Sequence, residues 1–320
     1  MPKAHSPRKG SLAFRPRMRA RRINCRVRNW PGYSKPSLLG FAGYKAGMLH
    51  FIYNEDLAVS PNKGKEVAMA GTLIEVPPML VFGVRVLKKT PYGLKILGDY
   101  CVKDAAILKK AGVRDAKPID ELDKVKGEVA EVRVLALTNP ALTTIGKKTH
   151  DCVEIGVGGD NIEKQVEYAK GLLGKEVEVD EAFSKGDYVD IIGVTKGKGW
   201  QGVIKRFGIA IQRPKATNKR RHLGNLGSWH PPFVEYSIAQ AGQMGYHKRT
   251  ILNNVIVDIG PADKLKQNGG LLHYGVVKNK YVLVKGSIPG TKKRLIKLRR
   301  ALRKPAAKRE LKVTFMSKAM

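Results

Sequence analysis

Acid is what this 320-residue sequence withholds: residues 1–54 contain no Asp or Glu against twelve Lys and Arg. Residues 191–257 contain one acid, Glu235, against eleven cations, and residues 264–320 contain one, Glu310, against seventeen. Only the stretch 55–190 is balanced, with twenty basic and twenty-three acidic residues. The whole chain has 60 Lys and Arg, 27 Asp and Glu, and a formal net charge of +33. A compact body with that charge repels itself, so a polyanion is the expected partner of the basic flanks. The middle reads as an ordinary soluble domain.

Cysteine is equally scarce. Cys25, Cys101 and Cys152 are an odd number at spacings that match no metal motif. That argues against a disulfide framework and gives no cysteine-based metal motif, and it fits a reducing cytoplasm. No apolar run approaches the roughly 18–20 residues needed to span a bilayer. The basic N-terminus lacks the apolar segment of a secretory signal. It is Arg-rich and acid-poor like a transit peptide, but its cations mix with Pro and Gly without amphipathic period, which favours an arm that binds nucleic acid. A membrane-surface helix is disfavoured because the cations of residues 292–304 dominate all around.

Catalytic motifs are also missing. The chain has no G-x-x-x-x-G-K-S/T loop and no H-E-x-x-H, and Gly156-Val157-Gly158-Gly159 falls short of a full G-x-G-x-x-G. Seven histidines occur: His5, His50, His150, His222, His230, His247 and His273. None stands in a recognisable nucleophile motif. His150-Asp151-Cys152 is compact, but neighbours on a strand point to opposite faces. The expectation is no enzyme, no catalytic residue, no metal, no cofactor, no small-molecule substrate and no membrane.

Along the chain, residues 1–37 hold Pro2, Pro7, Pro16, Pro31 and Pro36 among many cations, which predicts an extended basic arm that orders on its partner. Strand patterns cover 38–52, 67–76, 79–89 and 94–102, the last pair joined by Pro91-Tyr92-Gly93 turn chemistry. Residues 103–180 read as an inserted α/β subdomain: short helices at 104–112 and 118–126, strands at 128–139 and 151–159, and a helix at 162–174 capped by Asp160-Asn161. Ile162, Val166, Tyr168, Ala169 and Leu172 form that helix's apolar face. Strands resume at 188–195, more weakly at 203–211, and at 251–260, 273–279 and 281–288, with Asn279-Lys280 read as a hairpin turn. The tail 291–320 contains KKRLIKLRRALRK, whose period fits a basic helix.

The fold expected is mixed α/β, mainly β. Strands at 38–102 and 181–290 form the two parts of one barrel around the insert 103–180, with a long loop at about 207–250 and a basic tail at 291–320.

The most informative stretch is 193–250. Gly193, Gly197, Gly199, Gly202 and Gly208 alternate with Lys196, Lys198, Lys205 and Arg206. Glycine lets backbone N–H groups approach phosphate while the cations neutralise it, and repeated Gly/Lys pairs suit a long backbone better than one nucleotide. Further on, Trp229 lies between Gly227-Ser228 and His230-Pro231-Pro232 in a basic loop. Two readings stand: an indole held out to stack on bases, or a Trp that plugs the loop against the barrel. Irregular loops rich in Gly and Pro favour RNA over duplex DNA, although a DNA-binding chromatin protein shares the charge signature.

The segments TKGKGWQGVIKR, GSWHPP, AGQMGYHKRT and VKGSIPG, together with LLGFAGYKAGM near the start, resemble signature segments of universal large-subunit ribosomal protein three, in the right order over roughly residues 36–300. The GSWHPP form, and a tail without a long Lys-rich addition, resemble the archaeal type. The resemblance implies a structural constituent of the large ribosomal subunit, cytoplasmic, that binds large-subunit ribosomal RNA near its 3′ end and acts early in assembly. It implies a six-stranded barrel related to those of translation factors, with neighbouring large-subunit ribosomal proteins around it, and a long loop reaching toward the peptidyl transferase centre with Trp229 at its tip.

The candidate RNA-binding residues are Arg15, Arg17, Arg19, Arg21 and Arg22 in the arm and Lys196, Lys198, Lys205 and Arg206 in the glycine-rich run. In the loop they are Arg213, Lys215, Lys219, Arg220, Arg221, His222, Trp229, His230, His247, Lys248 and Arg249.

Overall fold

The computed structural model describes residues 7–113, 117–119, 121–122, 127, 129–265, 267, 269–303, 308–309 and 311–317. The chain divides into two compact units. One comprises the residues up to Arg22 with Val194–Lys248; the other comprises Ile23–Gly193 with Arg249 onward.

The larger unit is built on two sheets. The strands are β1 (Gly40–Asn54), β2 (Glu66–Glu75), β3 (Met79–Thr90), β4 (Gly93–Cys101), β5 (Lys117–Pro118), β6 (Glu131–Leu137), β7 (Cys152–Gly156), β8 (Glu176–Val177) and β9 (Tyr188–Val194). After β10 (Gly197–Gln201) and β11 (Gly242–Gly245) of the other unit come β12 (Lys248–Gly260), β13 (Tyr281–Lys285), β14 (Leu295–Arg300) and β15 (Lys312–Met316). The first sheet runs β14-β9-β12-β13-β2-β1-β15, and β14 also pairs with β1, so six strands form a closed circuit of pairings. The second runs β5-β4-β3-β6-β7, with β8 on β3. β3 and β4 thus pair within the second sheet.

The long strand β1 alternates only in its second half; its first eight residues are buried on both faces. Small residues make that possible. A Cβ on Gly43 would come within 2.7 Å of the Glu75 carbonyl oxygen, so the neighbouring backbone passes too closely for any side chain. On the strands of this circuit Phe41, Phe51, Leu73, Ile74, Ile191, Val282, Val284 and Ile296 are almost completely buried.

The helices of this unit follow their end signals. α1 (Ala105–Ala111) starts at Asp104, whose Oδ1 accepts from the Ala106 N–H at 2.9 Å, and stops at Gly112 in the left-handed region at φ 69°. α2 (Ile162–Gly171) buries Val166 and Ala169, with Leu172 beyond its end and Ile162 and Tyr168 packed against the core, as its period predicts. Asn161 stands at its N-cap but makes no side-chain cap bond, so that expected contact is absent. The helix expected at 118–126 falls largely outside the described residues; Lys117–Pro118 is a short strand.

Three expectations are corrected. The stretch 273–279 is not a strand: Leu271 bridges only to Gly275. Its backbone groups turn to Glu75, a fully buried carboxylate that accepts the Lys278 N–H at 2.9 Å, the Asn279 N–H at 3.0 Å, the Asn279 side-chain amide at 2.8 Å and the Tyr274 hydroxyl. Asn279-Lys280 is therefore no hairpin turn, because its first strand is replaced by loop chemistry on one carboxylate. The basic tail is not helical where its period suggested: 295–300 is strand β14, between β1 and β9. Its cations are buried because they have partners. Arg299 is 7% exposed, donates to the Asn29 carbonyl at 2.8 Å and pairs with Asp190, itself fully buried. Finally, 203–211 is not a strand; Val203–Phe207 is a short helix, α3.

Residues 23–37 also do more than the arm expectation allowed. Cys25 and Val27 are buried, and the Trp30 ring lies against two glycines, since a Cβ on Gly156 would meet Trp30 Cγ at 2.5 Å and one on Gly40 would meet Trp30 Cζ3 at 2.8 Å.

Candidate nucleic-acid interface

The smaller unit is almost without acid. Its segments 1–22 and 194–248 hold eighteen Lys and Arg and one acid, Glu235. Its regular structure is slight: the ribbon of β10 and β11, with Trp200 opposite Gln243, and the helix α3. The ribbon depends on glycine. Gly245 has φ +73° and a Cβ there would lie 2.0 Å from the Lys196 carbonyl oxygen, so no other residue fits. α3 ends at Gly208 in the left-handed region, and buries Val203 and Phe207 four apart on one face. Two flanking glycines and an i, i+4 apolar pair are the sequence signal that a strand reading of 203–211 overlooked.

The arm follows this framework. The Ala20 N–H donates to the Tyr246 carbonyl at 2.8 Å, and the Arg19 guanidinium lies 5.0 Å from the Tyr246 ring centroid. Arg15, Arg17 and Arg206 converge on Phe207, with guanidinium carbons 4.9, 4.2 and 5.1 Å from its ring centroid. Gly10 closes over the same ring at φ +80°, where a Cβ would meet Phe207 Cδ1 at 2.5 Å. Backbone carbonyls hold the guanidinium groups: Arg206 Nη1 donates to Gln240 at 2.8 Å and Nε to Gln243 at 3.0 Å, while Arg17 Nη1 donates to Arg206 at 3.1 Å. Burial, with the neighbouring charges of Arg17 and Arg15, holds the Arg206 guanidinium below its usual basicity. This is a cationic cluster built around an aromatic ring.

The remaining candidates separate by exposure. Arg19, Arg21, Arg22, Lys196, Lys198, Lys205, Arg213, Lys215, Lys219, Arg220, Arg221, His222, His230 and Lys248 are exposed, and Trp229 is 88% exposed. Residues 208–241 form no helix or strand. His247 differs from expectation. It is buried, its Nδ1 lies 2.8 Å from the Met18 carbonyl and its backbone N–H donates to Thr195 Oγ1 at 3.1 Å, so it ties the arm to the ribbon. Arg249 belongs to the larger unit and is half-buried, and burial lowers its basicity. Sequence reasoning missed Phe207, although an aromatic directly after Arg206 in a basic stretch was the available signal. The His150-Asp151-Cys152 trio does not converge: His150 Nδ1 lies 2.7 Å from the Thr138 carbonyl, and Asp151 pairs with Lys147.

Exposed cations, an exposed indole and one acid in the whole unit are the features of a surface suited to a polyanion. Comparison with known proteins makes the class specific. The family described as Ribosomal protein L3 matches residues 1–111 and 98–320. The Large ribosomal subunit protein uL3 of Methanothermobacter thermautotrophicus is 45% identical over 315 residues, covering 95% of this chain and 94% of that one. Those of Archaeoglobus fulgidus and Methanocaldococcus jannaschii are each 44% identical, covering 95% and 93% of this chain and 94% and 91% of theirs. The chain belongs to the ribosomal protein L3 family and is of the archaeal type. Members are structural constituents of the cytoplasmic ribosome, in its large subunit, and are not enzymes.

Proposed function

We propose that this chain binds large-subunit ribosomal RNA near its 3′ end, assists early subunit assembly and extends the Trp229 loop toward the peptidyl transferase centre. One observation carries the reading: nineteen of the twenty candidate residues fall in a unit with a single acid. A surface so charged needs phosphate to neutralise it. The arm and the loop supply the cations that fix position, and the exposed indole at 229 supplies a ring to stack on unpaired bases. The larger unit acts as the globular body, and its closed circuit of six strands supports kinship with the barrels of translation factors. Neighbouring large-subunit proteins complete its surroundings. Membrane and small-molecule partners are not part of this reading; no helix among the described residues is long and apolar enough to cross a bilayer.

The test is co-sedimentation with site-directed cross-linking. Tagged chain runs with the large subunit in a gradient, and a photo-reactive group at position 229 cross-links to nucleotides of the peptidyl transferase region. A chain found only free, or a cross-link confined to other RNA, overturns the proposal.

A further inference from the structure

The cationic cluster of the smaller unit is also one wall of a cleft of about 540 Å³. Its other wall is apolar: Leu12, Pro16, Met18 and Tyr236. Met18 is 65% exposed and Tyr236 73%, so large apolar surface stands open beside the guanidinium groups of Arg15, Arg17 and Arg206. That combination differs from a plain phosphate track, which needs cations alone. The volume falls in the range of small-ligand sites, about 300–1,000 Å³.

We infer that this cleft receives one unpaired RNA nucleotide turned out of its strand, its base stacked on Tyr236 and Met18 and its phosphate held by Arg15, Arg17 and Arg206. The inference rests on the RNA-binding reading above and assigns one pocket within it. Three points support it. The unit's eighteen cations face one acid, so its own side chains cannot neutralise the cluster. Arg15 Nε is buried without a hydrogen-bond partner, and Arg15 Nη2 reaches the Ser237 and Ile238 carbonyls only at 3.3 Å, so the protein itself satisfies this guanidinium incompletely. The groups are also pre-positioned, since Phe207 and the carbonyls of Gln240 and Gln243 fix the guanidinium planes before any ligand arrives. The open tyrosine ring completes a stacking platform that accepts any base, because every base has a π-face.

The experiment uses the full chain with large-subunit ribosomal RNA, measuring total affinity and the chemical reactivity of each nucleotide. The variants are Tyr236→Ala and Met18→Ala, both at exposed positions, with Arg15→Gln for the phosphate and Trp229→Ala as control. The wild-type chain protects one unpaired base that Tyr236→Ala and Met18→Ala expose again and Trp229→Ala does not. Tyr236→Ala weakens total binding about 5- to 150-fold, the range for one lost stack. Arg15→Gln weakens binding and flattens its salt dependence while the base stays protected. A reactivity pattern identical in wild type and Tyr236→Ala, with RNA affinity intact, refutes the pocket and leaves the RNA-binding reading standing. Cross-linking of the cleft to an acidic segment of another protein, with no base protected, also refutes it. Wild-type protein that fails to bind the RNA at all removes both.

Discussion

Trp229→Ala separates the two readings of the loop by magnitude. The ring is 88% exposed. A Trp side chain offers up to about 250 Å², so only about 30 Å² of it is covered, a contribution near 0.8 kcal/mol at about 25 cal/mol per Å². Removing the ring should therefore leave thermal unfolding of the free protein almost unchanged. Trp30 is the matched contrast, since it packs against Gly40 and Gly156 with its indole nitrogen buried. Trp30 is half-buried against the core, so Trp30→Ala should cost clearly more than Trp229→Ala, about 2–3 kcal/mol, toward the low end of large core truncations. Bound to RNA, the order reverses. The roughly 220 Å² left open at Trp229 becomes available for stacking, worth about 1–3 kcal/mol per base, or about 5- to 150-fold in affinity. Calorimetry of both variants and filter binding to large-subunit RNA at fixed salt make the comparison. A loss of stability above about 3 kcal/mol for Trp229→Ala, with unchanged RNA affinity, would refute the exposed-finger reading and restore the plug.

Three further outcomes are expected. Glu75→Ala removes the acceptor of four donors, of which the Tyr274 hydroxyl is buried and the Asn279 side-chain amide keeps the Leu142 carbonyl at 3.1 Å, and should destabilise the larger unit by about 2–3 kcal/mol in denaturant titration; a loss under about 1 kcal/mol would mean the 273–279 loop holds without it. Burial opposes ionisation of Asp187, but the Ser184 N–H, Lys308 and Arg300 outweigh it and hold the carboxyl below its ordinary value of 3.8. Its stabilisation is complete above that value and is lost as pH falls through the lower native one, so melting temperature should fall on acidification below about pH 4; in Asp187→Asn this part of the dependence should vanish. Deleting residues 1–22 should leave the larger unit folded, whereas deleting 1–37 removes the buried Cys25 and Val27 and the half-buried Trp30 packed against the core, and should lower the melting temperature; equal stability of the two truncations contradicts that assignment.

Most strands were legible because β-branched runs between breakers leave few alternatives, as in β2, β3 and β9. The failures have physical causes. Leu295–Arg300 reads as a basic helix because period alone ignores partners; Asp190 and the Asn29 carbonyl, distant in sequence, let Arg299 be buried in a strand. The stretch 273–279 reads as a strand, yet one buried carboxylate captures its donors. The site was legible as charge and as an unsupported Trp, since both are local properties. Its internal order was not, because Phe207, Arg15 and Arg17 meet only after the arm and the loop have come together.

The central claim is that the smaller unit neutralises RNA phosphates, and the salt dependence of binding to large-subunit ribosomal RNA tests it most directly. About ten phosphate contacts give a slope near −7 in log K against log salt for single strands, and each lost contact removes about 0.7. The account predicts a steep slope that becomes shallower by about 1.4 in Arg220→Gln/Arg221→Gln. A slope near zero, or one those substitutions leave unchanged, would contradict it.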